Sequence, residues 1–276
     1  MLIEIRDKSF LMIFLLEECN FSCSHCVREG EPMEPGYRLT FEQLRRCISD
    51  LGKLESVKYT EHSGGETTLW REGDLGLTDV LIEEARAGYS PRFTTNGSLF
   101  LEYDLCYEFF QRYFTTVNIP LRVAISTDTF HGNFDTEKGR CLSLDNIIRY
   151  WDNMPSYKRD LLGITPMAVV SKDPDSLLPE EMLDYYKARG AQFTITPLRS
   201  AGRGKTLTHL CPDLSSGKKE DLGAYYPYRP EQPLKKRTGA QNMVLIGDAY
   251  YLPEPRWHII ARLGQIPEEI ITAYSN

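Results

Sequence analysis

The sequence predicts an α/β fold, namely a partial (β/α)6 TIM-like barrel that is open on one side and carries a short C-terminal extension. Six strand-like apolar runs alternate with helical patterns, and the connections between them are long enough for parallel pairing. The 276 residues suffice for one such domain with a small appendage. Residues suited to chemistry follow the strand ends, where the active sites of such barrels lie.

Composition excludes several classes of protein. The net charge of −7 argues against a dedicated nucleic-acid binder, and the longest basic run, Lys235–Arg237, is short. We expect no membrane association, because no N-terminal apolar segment is long enough to span a bilayer, and the first strand lacks the flanks of a signal peptide. Seven cysteines, three of them clustered, favour a reducing cytoplasm over a disulfide framework.

The first strand, residues 11–16, leads into a loop that carries Cys19, Cys23 and Cys26. Three thiols within eight residues can bind one soft metal centre, and iron–sulfur clusters take cysteine ligands at such spacings. With no fourth cysteine nearby, one cluster iron would remain open to a substrate or cofactor. Two alternatives stay open: a zinc site that adds His25 or His62 to these thiols, and buried free thiols without a metal.

The remaining elements follow from periodicity and from helix-boundary signals. Thr40 and Gln43 fit a capping box at the start of a helix that reaches Leu51, with Cys47 on its core face. Cys106 lies in a helical pattern and is predicted to pack in the core. Further strands are predicted at 56–62, 91–95, 121–125, 161–170 and 192–196, and further helices at 74–88, 101–115, 144–151 and 179–190.

Polar residues follow three of these strands. Gly64 and Gly65 allow close approach of the backbone to a ligand, and the adjacent carboxylate of Glu66 can accept a hydrogen bond from an ammonium group. Taken alone, this segment could equally be a plain turn, and Thr95-Asn96-Gly97 could be an ordinary Asn-Gly turn. His131 is either an acid/base group or, as we expect, a solvated loop histidine.

The pattern C-x3-C-x2-C with His25 before the last cysteine, followed about forty residues later by Gly-Gly-Glu, resembles the radical S-adenosylmethionine (radical SAM) superfamily. The resemblance implies that Cys19, Cys23 and Cys26 hold one [4Fe-4S] cluster and that SAM chelates its fourth iron. His25 would lie at the cofactor, and Gly64, Gly65 and Glu66 would hold the methionyl amino group of SAM. Thr67 stands where the family often has proline.

Later motifs extend the resemblance to residues 11–204. The resemblance implies that Thr95 and Asn96 lie near SAM. It also implies that Ser126 contacts the ribose of SAM and that Lys138 contacts its carboxylate. Asp128 would line the substrate side as a catalytic residue. Lys138 replaces the usual arginine, and a lysine offers a point charge where arginine offers a bidentate fork.

We divide the chain into a barrel at 1–204 and, at 205–276, a linker with a degenerate C-terminal extension that resembles the SPASM or twitch type. Arg237 and Glu254 stand where auxiliary-cluster cysteines would be expected, so we predict no auxiliary cluster. Cys211 is either inert or a catalytic hydrogen-atom donor to a substrate radical. Tyr225–Tyr228 is a substrate lid or, as we expect, an exposed loop.

The resemblance implies an enzyme that cleaves SAM reductively to a 5'-deoxyadenosyl radical and abstracts a hydrogen atom from a substrate, in peptide or natural-product modification. Alternatives are a sugar or small-metabolite dehydrogenase or mutase of this class, an activase that makes a glycyl radical, and a non-catalytic metal-binding scaffold. An external electron donor of the flavodoxin or ferredoxin type would be needed. Little chain precedes the first strand, so a separate protein would present any peptide substrate.

Overall fold

The alternation of strands and helices predicted from the sequence is confirmed by the structure. The structure is a computed structural model that describes residues 10–26, 36–55, 57–128, 130–131, 134–135, 140–172, 180–198, 202–211, 243–246, 248–252 and 258–268. Lys138, the Tyr225–Tyr228 segment, Arg237 and Glu254 lie outside these residues, so the predictions made for them stay predictions.

The strands are β1 (Phe10–Phe14), β2 (Tyr59–Ser63), β3 (Arg71–Glu72), β4 (Leu75–Gly76), β5 (Ser90–Thr95), β6 (Leu121–Ser126), β7 (Phe134–Asp135), β8 (Arg140–Cys141), β9 (Leu162–Val170), β10 (Thr194–Pro197), β11 (Met243–Ile246), β12 (Ala249–Leu252) and β13 (His258–Arg262). The helices are α1 (Phe41–Leu51), α2 (Leu77–Arg86), α3 (Tyr103–Thr116), α4 (Leu142–Asn153) and α5 (Glu180–Lys187).

One nine-stranded sheet has the order β10-β9-β6-β5-β2-β1-β11-β12-β13. The first six of these are the predicted strands, side by side in chain order and parallel, as strand–helix–strand crossovers require. Because they are parallel, the segments that leave β1, β2, β5 and β6 emerge at one edge of the sheet. The described part of the sheet ends at β10 on one side and β13 on the other, and no pairing closes it into a barrel.

The C-terminal strands continue this sheet. Met243–Ile246 and Ala249–Leu252 form the antiparallel pair β11 and β12, and β13 pairs with β12 in the same way. Strand β11 pairs in parallel with β1, with Leu11 opposite Met243. Buried Asp50 at the end of α1 accepts hydrogen bonds from Tyr250 Oη at 2.9 Å and from the Gly264 backbone N–H at 2.8 Å. Strands from residues 1–204 and strands from residues 205–276 therefore belong to one sheet.

The main core lies between the sheet and helices α1 to α4, and a second, small apolar cluster is formed by Phe14, Val244 and Ile246. The Thr40 capping box is confirmed: the Gln43 N–H donates to Thr40 Oγ1 at 3.2 Å, and the Thr40 N–H donates to Gln43 Oε1 at 2.8 Å. The predicted core positions of Cys47 and Cys106 are confirmed, since both side chains are buried. In the part of the chain that the structure describes, none of the helices combines the length and apolarity that crossing a membrane would demand.

Candidate functional site

The loop after β1 carries three free thiols. Cys19 is exposed, while Cys23 and Cys26 are half-buried, and the Cys26 N–H donates to the Cys23 carbonyl oxygen at 3.2 Å. Burial, followed by the negative charges of Cys19, Cys26 and Asp128, raises the pKa of the Cys23 thiol to about 11. A cationic centre bound by these thiols would favour their thiolate forms.

Two glycines hold this loop against the end of β2. The Gly65 N–H donates to the Leu16 carbonyl oxygen at 2.7 Å, and the Glu66 N–H donates to the Glu18 carbonyl oxygen at 2.8 Å. A Cβ atom on Gly64 would lie 2.4 Å from the Leu16 carbonyl oxygen, and one on Gly65 would lie 1.7 Å from the Glu18 carbonyl oxygen. Gly64 also has a φ of +137°. The close approach that was predicted toward a ligand is, in the structure, an approach to the backbone that leads into Cys19.

Glu66 joins the ends of β2 and β5. Its fully buried carboxylate accepts at Oε1 from the Thr68 N–H (3.0 Å), the Thr68 hydroxyl (2.6 Å) and the Thr95 hydroxyl (2.7 Å). At Oε2 it accepts from the Asn96 N–H at 2.6 Å. Four donors from the chain itself fix this carboxylate. Its predicted contact with the amino group of SAM stays a prediction, whereas its role in holding two strand ends together is visible in the structure.

Asn96 connects β5 to the thiol loop. Its Nδ2 donates to Asn20 Oδ1 at 2.9 Å and lies 3.8 Å from Cys19 Sγ, as a weak hydrogen bond to sulfur. Its Oδ1 accepts from the Ser98 N–H at 2.9 Å, and Gly97 beside it has a φ of +85°. Thr95-Asn96-Gly97 is therefore more than an Asn-Gly turn, because its amide contacts the residues around Cys19.

Asp128 is anchored at the end of β6. Its side chain is 1% exposed, and Oδ2 accepts from the Val169 N–H at 2.9 Å. Oδ1 accepts from the Phe130 N–H at 3.1 Å and is 2.8 Å from His131 Nδ1. The expectation that His131 is a solvated loop histidine is wrong, because its side chain is only 12% exposed and pairs with Asp128. Ser126 is also buried at this strand end.

His25 packs over the end of β6. Its ring centroid lies 4.8 Å from that of His131, edge to face, and 4.9 Å from that of Phe130. Burial lowers the pKa of His25 to about 4, with the charges of His131 and Arg203 acting in the same direction and Asp128 opposing them. The imidazole is accordingly neutral near pH 7 and offers a lone pair.

Arg203 is a residue of this site that sequence reasoning missed. Its N–H donates to the Cys26 carbonyl oxygen at 2.9 Å, and its guanidinium Nη1 donates to Ser22 Oγ at 2.6 Å. Its positive charge also acts on Cys23 and His25. The only signal in the sequence was its place at the end of the resemblance over residues 11–204. The contact itself joins residues 181 positions apart.

Other predicted residues do not join this group. Cys211 contacts its own segment, with its N–H donating to the Thr208 carbonyl oxygen at 3.2 Å and Sγ 3.7 Å from the Leu207 carbonyl oxygen. His62, offered as a zinc ligand, is fully buried, and its Nε2 lies 2.8 Å from Glu84 Oε2. The zinc alternative that uses His62 is therefore wrong, because the His62 imidazole is buried in the core and is paired there with the Glu84 carboxylate.

A scan against protein-family models finds no match, and a search of the curated proteins finds no significant one. Solved structures do resemble this chain. Native anSMEcpe with bound AdoMet and the Cp18Cys peptide is 14% identical, with 95% of this chain and 80% of that chain covered and a TM-score of 0.53. Streptococcus suis SuiB bound to its precursor peptide SuiA is 14% identical, with 69% of this chain covered and a TM-score of 0.45.

A third similar structure is the Escherichia coli coproporphyrinogen III oxidase HemN, a radical SAM enzyme. It is 14% identical, with 88% of this chain and 66% of that chain covered and a TM-score of 0.41. This chain spans 39% of the SuiB chain. At this level of identity, the likeness to anSMEcpe shows that the two proteins share a fold.

Proposed function

We propose that this chain is a radical SAM enzyme of the SPASM or twitch-like branch, built on a partial barrel, with one [4Fe-4S] cluster held by Cys19, Cys23 and Cys26. The observation that carries the proposal is the group of three free thiols on one loop, packed on the glycines after β2. The shared fold with anSMEcpe, whose structure contains AdoMet, supports it.

The residues of the loop fit an iron–sulfur centre. Thiolates are the soft ligands that such clusters take, and hydrogen bonds to sulfur tune them. Cys19 Sγ accepts from the Phe21 N–H at 3.4 Å and from Asn96 Nδ2 at 3.8 Å. Binding a cationic centre would also release the proton that burial and neighbouring charges hold on Cys23.

When bound, the cluster and SAM supply a 5'-deoxyadenosyl radical that abstracts a hydrogen atom from a C–H bond of the substrate. The chain's own residues bind and orient the cofactor. We assign SAM contacts to Gly64, Gly65, Glu66, Thr95, Asn96, His25, Ser126 and Lys138.

Two residues have further assigned roles. Glu66 accepts hydrogen bonds from the Thr95 hydroxyl and the Asn96 backbone N–H, which fixes these two residues before the cofactor arrives. Asp128 faces the same loop from the end of β6 and is assigned to the substrate side, and Cys211 stays a proposed hydrogen-atom donor.

The proposed substrate is a peptide or another natural product. The solved structure of anSMEcpe contains a peptide, which favours the first class. A sugar or small metabolite in a dehydrogenase or mutase reaction is the alternative. We further propose reduction by a flavodoxin- or ferredoxin-type donor, a separate protein that presents a peptide substrate, and a reducing cytoplasmic location consistent with seven free cysteines.

The proposal is tested anaerobically on the full chain. The protein is reconstituted with iron and sulfide, both are counted, and dithionite and SAM are added. We expect four irons and four sulfides per chain, as one [4Fe-4S] cluster requires, together with formation of 5'-deoxyadenosine and methionine. Cys23→Ala should lose both the cluster and SAM cleavage.

Cys106→Ala is the matched control, because Cys106 is a buried core thiol in α3. It should retain the iron count of the wild-type chain. A wild-type chain that takes up zinc in place of iron and leaves SAM intact would refute the proposal and favour a non-catalytic metal-binding scaffold.

A further inference from the structure

A second group of metal-binding side chains lies beside the thiol loop. His25 comes from that loop, while Asp128 and His131 follow β6, about a hundred residues later. One nitrogen or oxygen atom from each of the three lies within 4.8 Å of the other two. Two imidazoles and one carboxylate form a donor set that suits divalent cations of borderline hardness, including Zn²⁺, Fe²⁺ and Co²⁺.

Asp128 and His131 already have nearly the spacing of two ligands on one cation. Their Oδ1 and Nδ1 atoms are 2.8 Å apart. Two ligands about 2.1 Å from a metal ion and at roughly right-angled or tetrahedral angles are about 3.0–3.4 Å apart. A cation between them would thus require only a small separation of the pair.

Hydrogen bonds from the backbone fix the carboxylate. The Val169 N–H holds Oδ2 at 2.9 Å and the Phe130 N–H contacts Oδ1 at 3.1 Å. Carboxylate ligands of metal ions are commonly oriented by such bonds. Asp128 also supplies a negative charge at a position where its side chain is 1% exposed.

His25 supplies the third donor. Its Nδ1 is buried and has no hydrogen-bond partner among the residues described. A buried polar atom without a partner destabilises the folded state. Since the widest separation in the group is 4.8 Å, the His25 ring must move by about 1.5 Å to reach the tetrahedral spacing of two ligands. A cation bound through Nδ1 would give that buried nitrogen a partner.

We propose that His25, Asp128 and His131 form a mononuclear site for a divalent transition-metal cation, Zn²⁺ or Fe²⁺, separate from the thiol centre. Three protein ligands leave at least one coordination position open, as in catalytic zinc sites and in iron sites with two histidines and one carboxylate. The open position suits an oxygen donor, such as a substrate carboxylate or hydroxyl group.

The test uses the full chain with Cys19, Cys23 and Cys26 replaced by serine, so that no cluster thiol competes for the metal. Co²⁺ is titrated in as the probe, and its visible d–d absorption is recorded. We expect one Co²⁺ per chain. His131→Ala and Asp128→Asn should each weaken binding by more than about tenfold. His209→Ala is the matched control, because His209 is exposed and outside the group. It should bind as the parent does.

Absence of Co²⁺ binding in the folded triple variant, or equal binding by His131→Ala, would overturn the proposal. If circular dichroism shows that the triple variant is unfolded, zinc is counted on the cluster-loaded wild-type chain and on its His131→Ala variant after dialysis. One zinc per chain in the wild type and none in the variant supports the site, and equal zinc in both rejects it. Neither the Co²⁺ titration nor the zinc count uses SAM. Failure of the SAM-cleavage assay would therefore leave the test of this metal site unaffected.

Discussion

At the scale of single residues, Glu66 and Asn96 form a relay of contacts from β2 to the thiol loop. The Glu66 carboxylate accepts a hydrogen bond from the Asn96 backbone N–H. The Asn96 side-chain amide donates to Asn20 Oδ1 and, weakly, to Cys19 Sγ. The resemblance stated in the sequence analysis implied that both residues contact the cofactor. It could not show that they first bind one another, because a hydrogen bond between residues 30 positions apart depends on how the strands pair.

Glu66→Gln should destabilise the chain and lower cluster loading. The amide of glutamine has one acceptor oxygen in place of two, so at least one of the Thr68, Thr95 and Asn96 donors loses its partner. A hydrogen bond to a buried charged group contributes about 1.5–3 kcal/mol, so we expect a loss of that size in the free energy of unfolding by urea. Glu83→Gln removes only the partly exposed pair with Arg45 and should change stability by less than about 1 kcal/mol. Equal losses in the two variants would contradict the role of Glu66.

Gly65→Ala tests the contact between β2 and the thiol loop. The added Cβ would lie 1.7 Å from the Glu18 carbonyl oxygen, so the backbone on one side must move. We expect a reconstituted iron count well below that of the wild type and a loss of about 1–3 kcal/mol in stability.

Gly52→Ala is the glycine control. Gly52 has a right-handed φ of −58° and lies at the end of α1, where a Cβ approaches no atom closer than 3.3 Å. It should keep full iron loading. Unchanged iron binding by Gly65→Ala would show that the close packing of the glycine is not needed for the cluster.

At the scale of elements, the six parallel strands and the helices between them followed from apolar periodicity and capping signals. The boundaries agree to within a few residues, as β1 and β5 show. The pairing of β11 with β1 did not follow from the sequence, because sheet order is set by packing among segments more than 200 residues apart. For the same reason, Arg203 and His131 could not be placed at the thiol loop from spacing alone.

Leu245→Ala tests whether β11 is part of the main structure. Leu245 is fully buried opposite Ile13 of β1, and truncating such a leucine costs about 2–5 kcal/mol through lost burial and a residual cavity. Urea unfolding followed by circular dichroism should show a single transition shifted to lower urea. Leu101→Ala, at a side chain that is 39% exposed, should shift it little. A separate early transition in Leu245→Ala would indicate that the C-terminal strands unfold independently.

At the scale of the whole molecule, buried ionisable groups limit alkaline stability. Burial raises the pKa of Cys106 from 9.0 to about 12 and that of Cys141 from 9.0 to about 11. A raised pKa in the folded state means that the neutral thiol is favoured there. The stabilisation is complete below pH 9.0, where neither state loses the proton, and is lost as the pH rises toward 11 and 12.

The free energy of unfolding should therefore fall above pH 9.0, by up to about 1.4 kcal/mol per pH unit for each thiol. Urea denaturation at a series of pH values measures this slope. Buried tyrosines such as Tyr186, whose pKa burial also raises, add to it at higher pH. Cys106→Ala should flatten the slope by the contribution of one proton. A free energy of unfolding that stays constant from pH 8 to 10.5 would contradict the raised pKa values of the two buried thiols.

The place of β1 between β2 and β11 has a consequence for biosynthesis. Strand β2 follows β1 by about 45 residues, but its other neighbour, β11, is synthesised about 230 residues after it. At 5–20 residues per second, β1 waits roughly 10–45 s on the ribosome with one edge unpaired. The strand that leads into the thiol loop is thus among the last to be enclosed. Iron and sulfide delivered before β11 is synthesised would meet a β1 strand with one unpaired edge, so assembly of the proposed cluster should follow the synthesis of β11.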